Sequence, residues 1–379
     1  MTACGCGSRS APAGPECLPS PSAGRLAAPI PEGPWPPFVS RADESPVTFA
    51  LEAAVRERLD RLISEELRVC EGEIQQELEH SPVPLIREIG AHVALAGGKR
   101  LRPILLLLGS RLAGGGARRA ARLGCVVELL HTATLIHDDL VDQAPLRRGR
   151  PSAWVRWGAD AALLVGDHLY ARCMALLVAD GDLAVMNALA SAMVLMTEAE
   201  VFQLERKRTG ELSEADYLRI IRQKTATFMS ACCRIGGLTG HLGPAGVDAL
   251  SAYGEGLGVA FQIIDDALDF AADQARLGKA VGSDLREGKR TLPLIVTLER
   301  ATDDERERVL STLGRPDAVT DATLAEIQRL VKVYDGVGYA VRRASTYVAE
   351  AVARLASLPA GEIREALTLI ADYVIHRDR

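Results

Sequence analysis

From Pro46 onward, stretches of roughly 15 to 25 residues with apolar side chains recurring every three or four positions follow one another, separated by short breakers. The breakers "SPVP", "GGG", "ADGD" and "GHLGP" carry the Pro and Gly that end helices. Strand-favouring runs are scarce and Ala and Leu are abundant, so the pattern predicts an all-α protein. The more polar "ATDDERERVLSTLGRPDAVT" predicts a surface helix with its loop, and two closing helices are expected over 322–378. No solenoid-length repeat is evident. Residues 1–46, which include "PIPEGPWPPF", show no helical period and are expected to be a disordered extension ahead of one helical domain over 47–379.

With 379 residues, 48% of them hydrophobic and 25% charged, the chain has material for a large core. A net charge of -6 and the lack of a basic stripe interleaved with aromatics argue against a nucleic-acid partner. The eight cysteines, Cys4, Cys6, Cys17, Cys70, Cys125, Cys173, Cys232 and Cys233, form no CxxC pair, which predicts reduced thiols in a cytoplasmic protein. No uninterrupted apolar run reaches about 18 residues and the N-terminus lacks a signal-type apolar stretch, so neither a membrane span nor a signal peptide is expected.

The candidate chemistry begins at "HTATLIHDDLVD", residues 131–142. Asp138 and Asp142 are four apart, so a helix projects both carboxylates from one face about 6 Å from each other, with Asp139 beside them. The spacing recurs in "FQIIDDALDF" as Asp265, Asp266 and Asp269. Two such clusters on facing helices would repel strongly unless divalent cations lay between them. An oxygen-only donor set suits Mg²⁺, which shares its shell with phosphate oxygens, so the implied ligand is a diphosphate. His137 points off the shared face and reads as structural. Protein cations cluster nearby in sequence: Lys99, Arg100 and Arg102 in "GGKRLRP", Arg147 and Arg148 in "LRRGRP", Lys224 with Thr225 in "RQKTATF", and Lys279 and Lys289 in "LGKAVGSDLREGKRTLPLI". Together they suggest two phosphate sites, one read through Mg²⁺ and one directly by Arg and Lys.

These segments, with "GDHLYAR" and the terminal "ADYVIHRDR", resemble the trans-isoprenyl diphosphate synthases, or polyprenyl synthetases, in order and spacing over about residues 50 to 379. The resemblance implies a bundle of mostly antiparallel helices around a central cavity, usually a homodimer. It implies that Asp138, Asp142 and Asp265, supported by Asp139, Asp266 and Asp269, hold Mg²⁺, three ions per site, on an allylic diphosphate. Arg147, Lys224 and Lys289 match direct partners of that group. Lys99, Arg102, His131 and Arg148 match the isopentenyl diphosphate site, and Thr225, Gln262 and Lys279 match further contacts. The implied reaction is ionisation of the allylic C–O bond, attack by the isopentenyl double bond and loss of a proton, lengthening the chain by five carbons.

If Asp138 marks the diphosphate end, the growing tail runs back along the same helix past Thr134, Ala133, Leu130 and Val127. Short-chain members carry bulky aromatics one turn before the motif, whereas Ala133 and Thr134 are small. The expected product is therefore longer than C20, in the C30 to C50 range of a quinone side chain, with peripheral membrane contact for its release. A terpene cyclase and a non-catalytic partner subunit are the competing readings. The cyclase fits poorly with DDALD and with cations for a second diphosphate, and the subunit fits poorly with two intact acidic motifs. Departures from the family pattern are small: Ser152 and Trp154 follow the arginine segment, and Ala199 precedes Glu200.

Overall fold

A computed structural model describes residues 46–210, 212–271, 283–313 and 320–376. The expected extension and Lys279 lie outside these residues. Helix α1 (Pro46–Glu79) buries Val55, Leu59, Ile63, Leu67, Cys70, Ile74 and Leu78, a stripe spaced by three or four that faces inward. After α2 (Pro84–Ala94), which has Pro at its first turn, α3 (Leu101–Arg111) buries Ile104 through Leu108 without interruption. A helix apolar all round belongs inside a bundle. Helix α4 (Ala117–Val141) packs against α1 and α3 and ends at the first acidic motif.

Beyond α4 the chain makes a two-stranded hairpin, β1 (Leu146–Arg147) with β2 (Arg150–Pro151), in which Arg147 pairs with Arg150. Its turn residues Arg148 and Gly149 both have positive φ, 53° and 74°, as the tightest hairpins require. Then come the short α5 (Ala153–Trp157), α6 (Ala159–Asp180) and α7 (Leu183–Thr209). Helix α8 (Glu214–Ile221) runs through a π turn (Arg222–Ala226) into α9 (Thr227–Thr239). Helix α10 (Pro244–Ala271) packs against α9 and carries the second acidic motif. It is followed by α11 (Ser283–Arg286), α12 (Leu292–Arg300) and α13 (Asp303–Thr312). The chain closes with α14 (Asp321–Val333), α15 (Gly336–Leu355) and α16 (Glu362–His376).

The expected all-α architecture is present, with three closing helices in place of the two expected. Asp335, left-handed at φ 54°, and Gly336 break α14 from α15. Such a turn leaves only "DGVG" as a signal, which the surrounding helical period masks. The polar segment forms α13, closed at its start by a reciprocal Thr302–Glu305 capping box. Contrary to the expectation from uninterrupted runs, α6 and α7 are each long and apolar enough to cross a bilayer by length and composition. Charged residues such as Asp167 and Arg172 interrupt their apolar runs, which is why a search for unbroken stretches passes over them.

Candidate active site

The two acidic motifs sit at the C-terminal ends of α4 and α10, and Lys289 lies between them. Its Nζ donates to Asp142 Oδ2 at 2.9 Å and pairs with Glu287 at 2.7 Å, while its charge also acts on Asp266. Burial disfavours the Lys289 ammonium, but Asp142 and Glu287 overcome this and hold its pKa above the usual lysine range. Burial likewise opposes the Asp142 charge, yet Lys289, with Lys224 and Lys207, keeps that carboxyl below its ordinary value. Asp138 differs: burial pushes its pKa up to about 6, Lys224 works the other way, and Glu200 and Asp142 add to the rise. One motif thus holds one firmly ionised carboxylate and one that carries its charge at a cost.

The middle aspartates of both motifs are committed to other side chains. Asp139, 1% exposed, accepts from Arg147 Nε at 2.9 Å and from its Nη2 through the same Oδ1, leaving a buried Oδ2 without a partner. Asp266 accepts from Tyr217 Oη at 2.6 Å and from Gln262 Nε2 at 2.8 Å, and Gln262 Oε1 accepts from Thr225 Oγ1 at 2.9 Å. Burial raises the Asp266 pKa to about 7, with the two donors pulling it down and Asp265 pushing it up. Asp269 accepts the backbone N–H of Asp284 at 3.2 Å, which ties α10 to α11.

Lys224 and Thr225 occupy the π turn, where the Thr227 N–H and Oγ1 both donate to the Arg222 carbonyl. The extra residue in such a turn re-aims its neighbours. Lys224 Nζ reaches Glu200 Oε1 on α7 at 2.5 Å. Helix α10 approaches so closely that a Cβ on Gly258 would lie 2.5 Å from the Ala226 Cα.

The second group of cations gathers around the N-terminus of α3, where free backbone N–H groups favour an anion. Arg102 Nη1 lies 3.0 Å from His131 Nε2, and Lys99 Nζ donates to Tyr373 Oη at 2.7 Å. The Arg148 guanidinium packs on Gly98, whose φ of 148° and lack of Cβ make room for it. Burial, with Arg102, Arg148 and Arg147 nearby, drives the His131 pKa well below its usual range, so its imidazole is neutral. Arg100 turns away from this group. It adopts a left-handed conformation at φ 46° and is 7% exposed, bonded to Glu71 at 2.6 Å, Glu128 at 2.6 Å and the Ala94 carbonyl at 2.8 Å. His137 faces α6, 3.0 Å from the Leu163 carbonyl. Leu130 and Ala133 are fully buried and Thr134 is half-buried, all within the last turns of α4 before Asp138.

A family profile described as polyprenyl synthetase matches residues 83–331. The chain belongs to the polyprenyl synthetase family. It is 38% identical over 302 residues to the short chain isoprenyl diphosphate synthase of Methanothermobacter thermautotrophicus, covering 79% of this chain and 92% of that one. It is 33% identical over 323 residues to the octaprenyl diphosphate synthase of Escherichia coli, covering 85% and 99%. The polyprenyl synthase of Caulobacter crescentus, solved with calcium and isoprenyl diphosphate, superposes with a TM-score of 0.81 at 38% identity, covering 85% and 98%. Like other polyprenyl synthetases, this chain is a prenyltransferase that extends prenyl chains, and the family depends on Mg²⁺ and acts on isopentenyl and allylic prenyl diphosphates.

The donor set fits that ion. Asp138, Asp142, Asp265 and Asp269 offer only oxygens, and among the described residues no three His, Cys, Asp or Glu groups are arranged to hold a metal by themselves. A diphosphate would then supply the missing ligands, as Mg²⁺ bound by few carboxylates requires. Sequence reasoning missed Glu200, Tyr217, Arg100's buried anchorage and Tyr373. Arg100 and Tyr373 stood inside quoted motifs, whereas Tyr217 reaches the site only through tertiary packing and carries no local signal.

Proposed function

We propose that the chain is a polyprenyl diphosphate synthase that condenses isopentenyl diphosphate head-to-tail with an allylic prenyl diphosphate, releasing pyrophosphate and making products of C30 to C50. The observation carrying this reading is Lys289, bonded to the first acidic motif and acting on the second, which supports reading the two motifs as parts of one site. Asp138, Asp142, Asp265 and Asp269 would hold Mg²⁺, three ions per site, while Asp139 and Asp266 act as supports. Asp139 orients Arg147, and Asp266 fixes Gln262 and, through it, Thr225. Bound Mg²⁺ would supply charge neutralisation of the leaving diphosphate. Arg147, Lys224 and Lys289 add direct cationic contacts that strengthen as negative charge builds on the departing oxygen. Thr225, Gln262 and Lys279 would make further contacts lining the reacting centre.

At the second site Lys99, Arg102 and Arg148 bind isopentenyl diphosphate, and neutral His131 can donate or accept a hydrogen bond without adding to the crowd of cations there. Holding both substrates in one orientation supplies much of the rate enhancement, and no protein nucleophile is required. The small Ala133 and Thr134, with Leu130 behind them, favour a tail longer than C20. A homodimer is supported by the outward apolar faces of α6 and α7, where Leu164, Val178, Leu183, Val194 and Val201 are exposed. A cytoplasmic setting agrees with the five free, buried cysteines among the described residues, and peripheral membrane contact would accompany release of so apolar a product. Incubation of the pure protein with isopentenyl diphosphate, farnesyl diphosphate and Mg²⁺, read by product mass, tests the reading. Mg²⁺-dependent C30 to C50 diphosphates are expected. Products that stop at C20 would overturn the long-chain assignment.

A further inference from the structure

We infer that Tyr373, on α16, is a positioning residue for isopentenyl diphosphate, acting by holding the Lys99 ammonium where the diphosphate arrives. This rests on the assignment of Lys99 to the second diphosphate site. Lys99 Nζ donates to Tyr373 Oη at 2.7 Å and sits 4.9 Å from the centre of the phenol ring, so one aromatic side chain supplies both a hydrogen-bond acceptor and a cation-attracting face. A lysine side chain on its own samples many rotamers, and fixing one before the ligand binds removes part of the ordering cost of binding. The phenol is suited to this because it is neutral. It aims the ammonium without cancelling the charge that the diphosphate needs, as a carboxylate partner would do.

Tyr373 is itself held firmly. It is 8% exposed, its neighbours Val374 and Ile375 are buried, and α16 is tied to α10 by the Tyr253 hydroxyl donating to the Leu367 carbonyl at 2.7 Å. The residue after Lys99 is equally fixed, since Arg100 is clamped by Glu71, Glu128 and the Ala94 carbonyl. The loop backbone is thus set from one side and the lysine tip from the other, and the last helix of the chain becomes part of the substrate site.

The test is steady-state kinetics of Tyr373→Phe, Lys99→Met and the double variant in the full chain, with thermal midpoints alongside. Tyr373→Phe keeps the ring and removes the acceptor. It should raise KM for isopentenyl diphosphate about five- to tenfold, the range of one lost hydrogen bond, with kcat, the allylic KM and the thermal midpoint essentially unchanged. The double variant should bind isopentenyl diphosphate no worse than Lys99→Met alone, because Tyr373 works through that lysine. An unchanged KM in Tyr373→Phe, with Lys99→Met impaired, would overturn the inference while leaving the site assignment standing. So would a loss in the double variant equal to the product of the single losses, or a fall in thermal midpoint that raises both substrates' KM alike. A Lys99→Met enzyme with normal KM for isopentenyl diphosphate would overturn the site assignment and the inference with it.

Discussion

Asp138 carries its charge against its surroundings. Burial raises its pKa to about 6 in the metal-free protein, above the 3.8 of an unperturbed aspartate. A carboxyl with a raised folded pKa favours the fold fully below its unfolded value, and that contribution is lost as pH rises through the folded value. The metal-free protein therefore carries a destabilising Asp138 charge above about pH 6. Asp138→Asn should raise its thermal stability at pH 7.5, by about 3 kcal/mol at most, with the gain disappearing near pH 4, while Mg²⁺-dependent turnover falls by about a thousandfold or more. Thermal melts across pH alongside an activity assay would check both halves, and a variant less stable than the parent at pH 7.5 would refute the electrostatic account. The motif spacing announces that Asp138 and Asp142 share a face. It does not announce that Asp142 is charge-stabilised by Lys289 and Asp138 opposed by burial, because those environments come from residues on other segments, Lys289 in the loop between α11 and α12 among them.

At the scale of elements, the π turn between α8 and α9 has no counterpart in the hydrophobic pattern, which reads "RQKTATF" as ordinary helix. Lys224 and Thr225 owe their placement to it. Gly258 on α10 lets the two helices meet, since a Cβ there would collide with the Ala226 backbone rather than with a flexible side chain. Gly258→Ala should destabilise the protein by about 1 to 3 kcal/mol and raise the allylic KM more than the isopentenyl KM, because the displaced helix carries Gln262 and Asp265. Denaturant unfolding with two-substrate kinetics checks this. A neutral effect on stability would mean that the contact yields freely. The hairpin at Leu146–Pro151 and the break at Asp335 were hidden for a related reason: they are set by positive φ at Arg148 and Gly149 and at Asp335 alone, signals too short to interrupt a helical period.

For the whole molecule, helical class and the approximate course of the bundle were legible because burial stripes such as that of α1 extend over many turns. What the periodicity could not convey is which apolar faces are left outside. Leu183, Val194 and Val201 lie on one side of α7 and are 76%, 58% and 62% exposed. If that side is a homodimer interface, Val194→Asp should convert a dimer to a monomer by light scattering, whereas a monomeric parent protein would contradict the assembly. The claim on which the account depends is that Asp138 on α4 and Asp265 on α10 grip the same diphosphate. Calorimetric titration of a non-hydrolysable allylic diphosphate with Mg²⁺ into Asp265→Asn tests it most directly. The account predicts that Mg²⁺-dependent affinity falls by about a hundredfold, the same direction as in Asp138→Asn. Parental affinity in Asp265→Asn, with Asp138→Asn impaired, would contradict it.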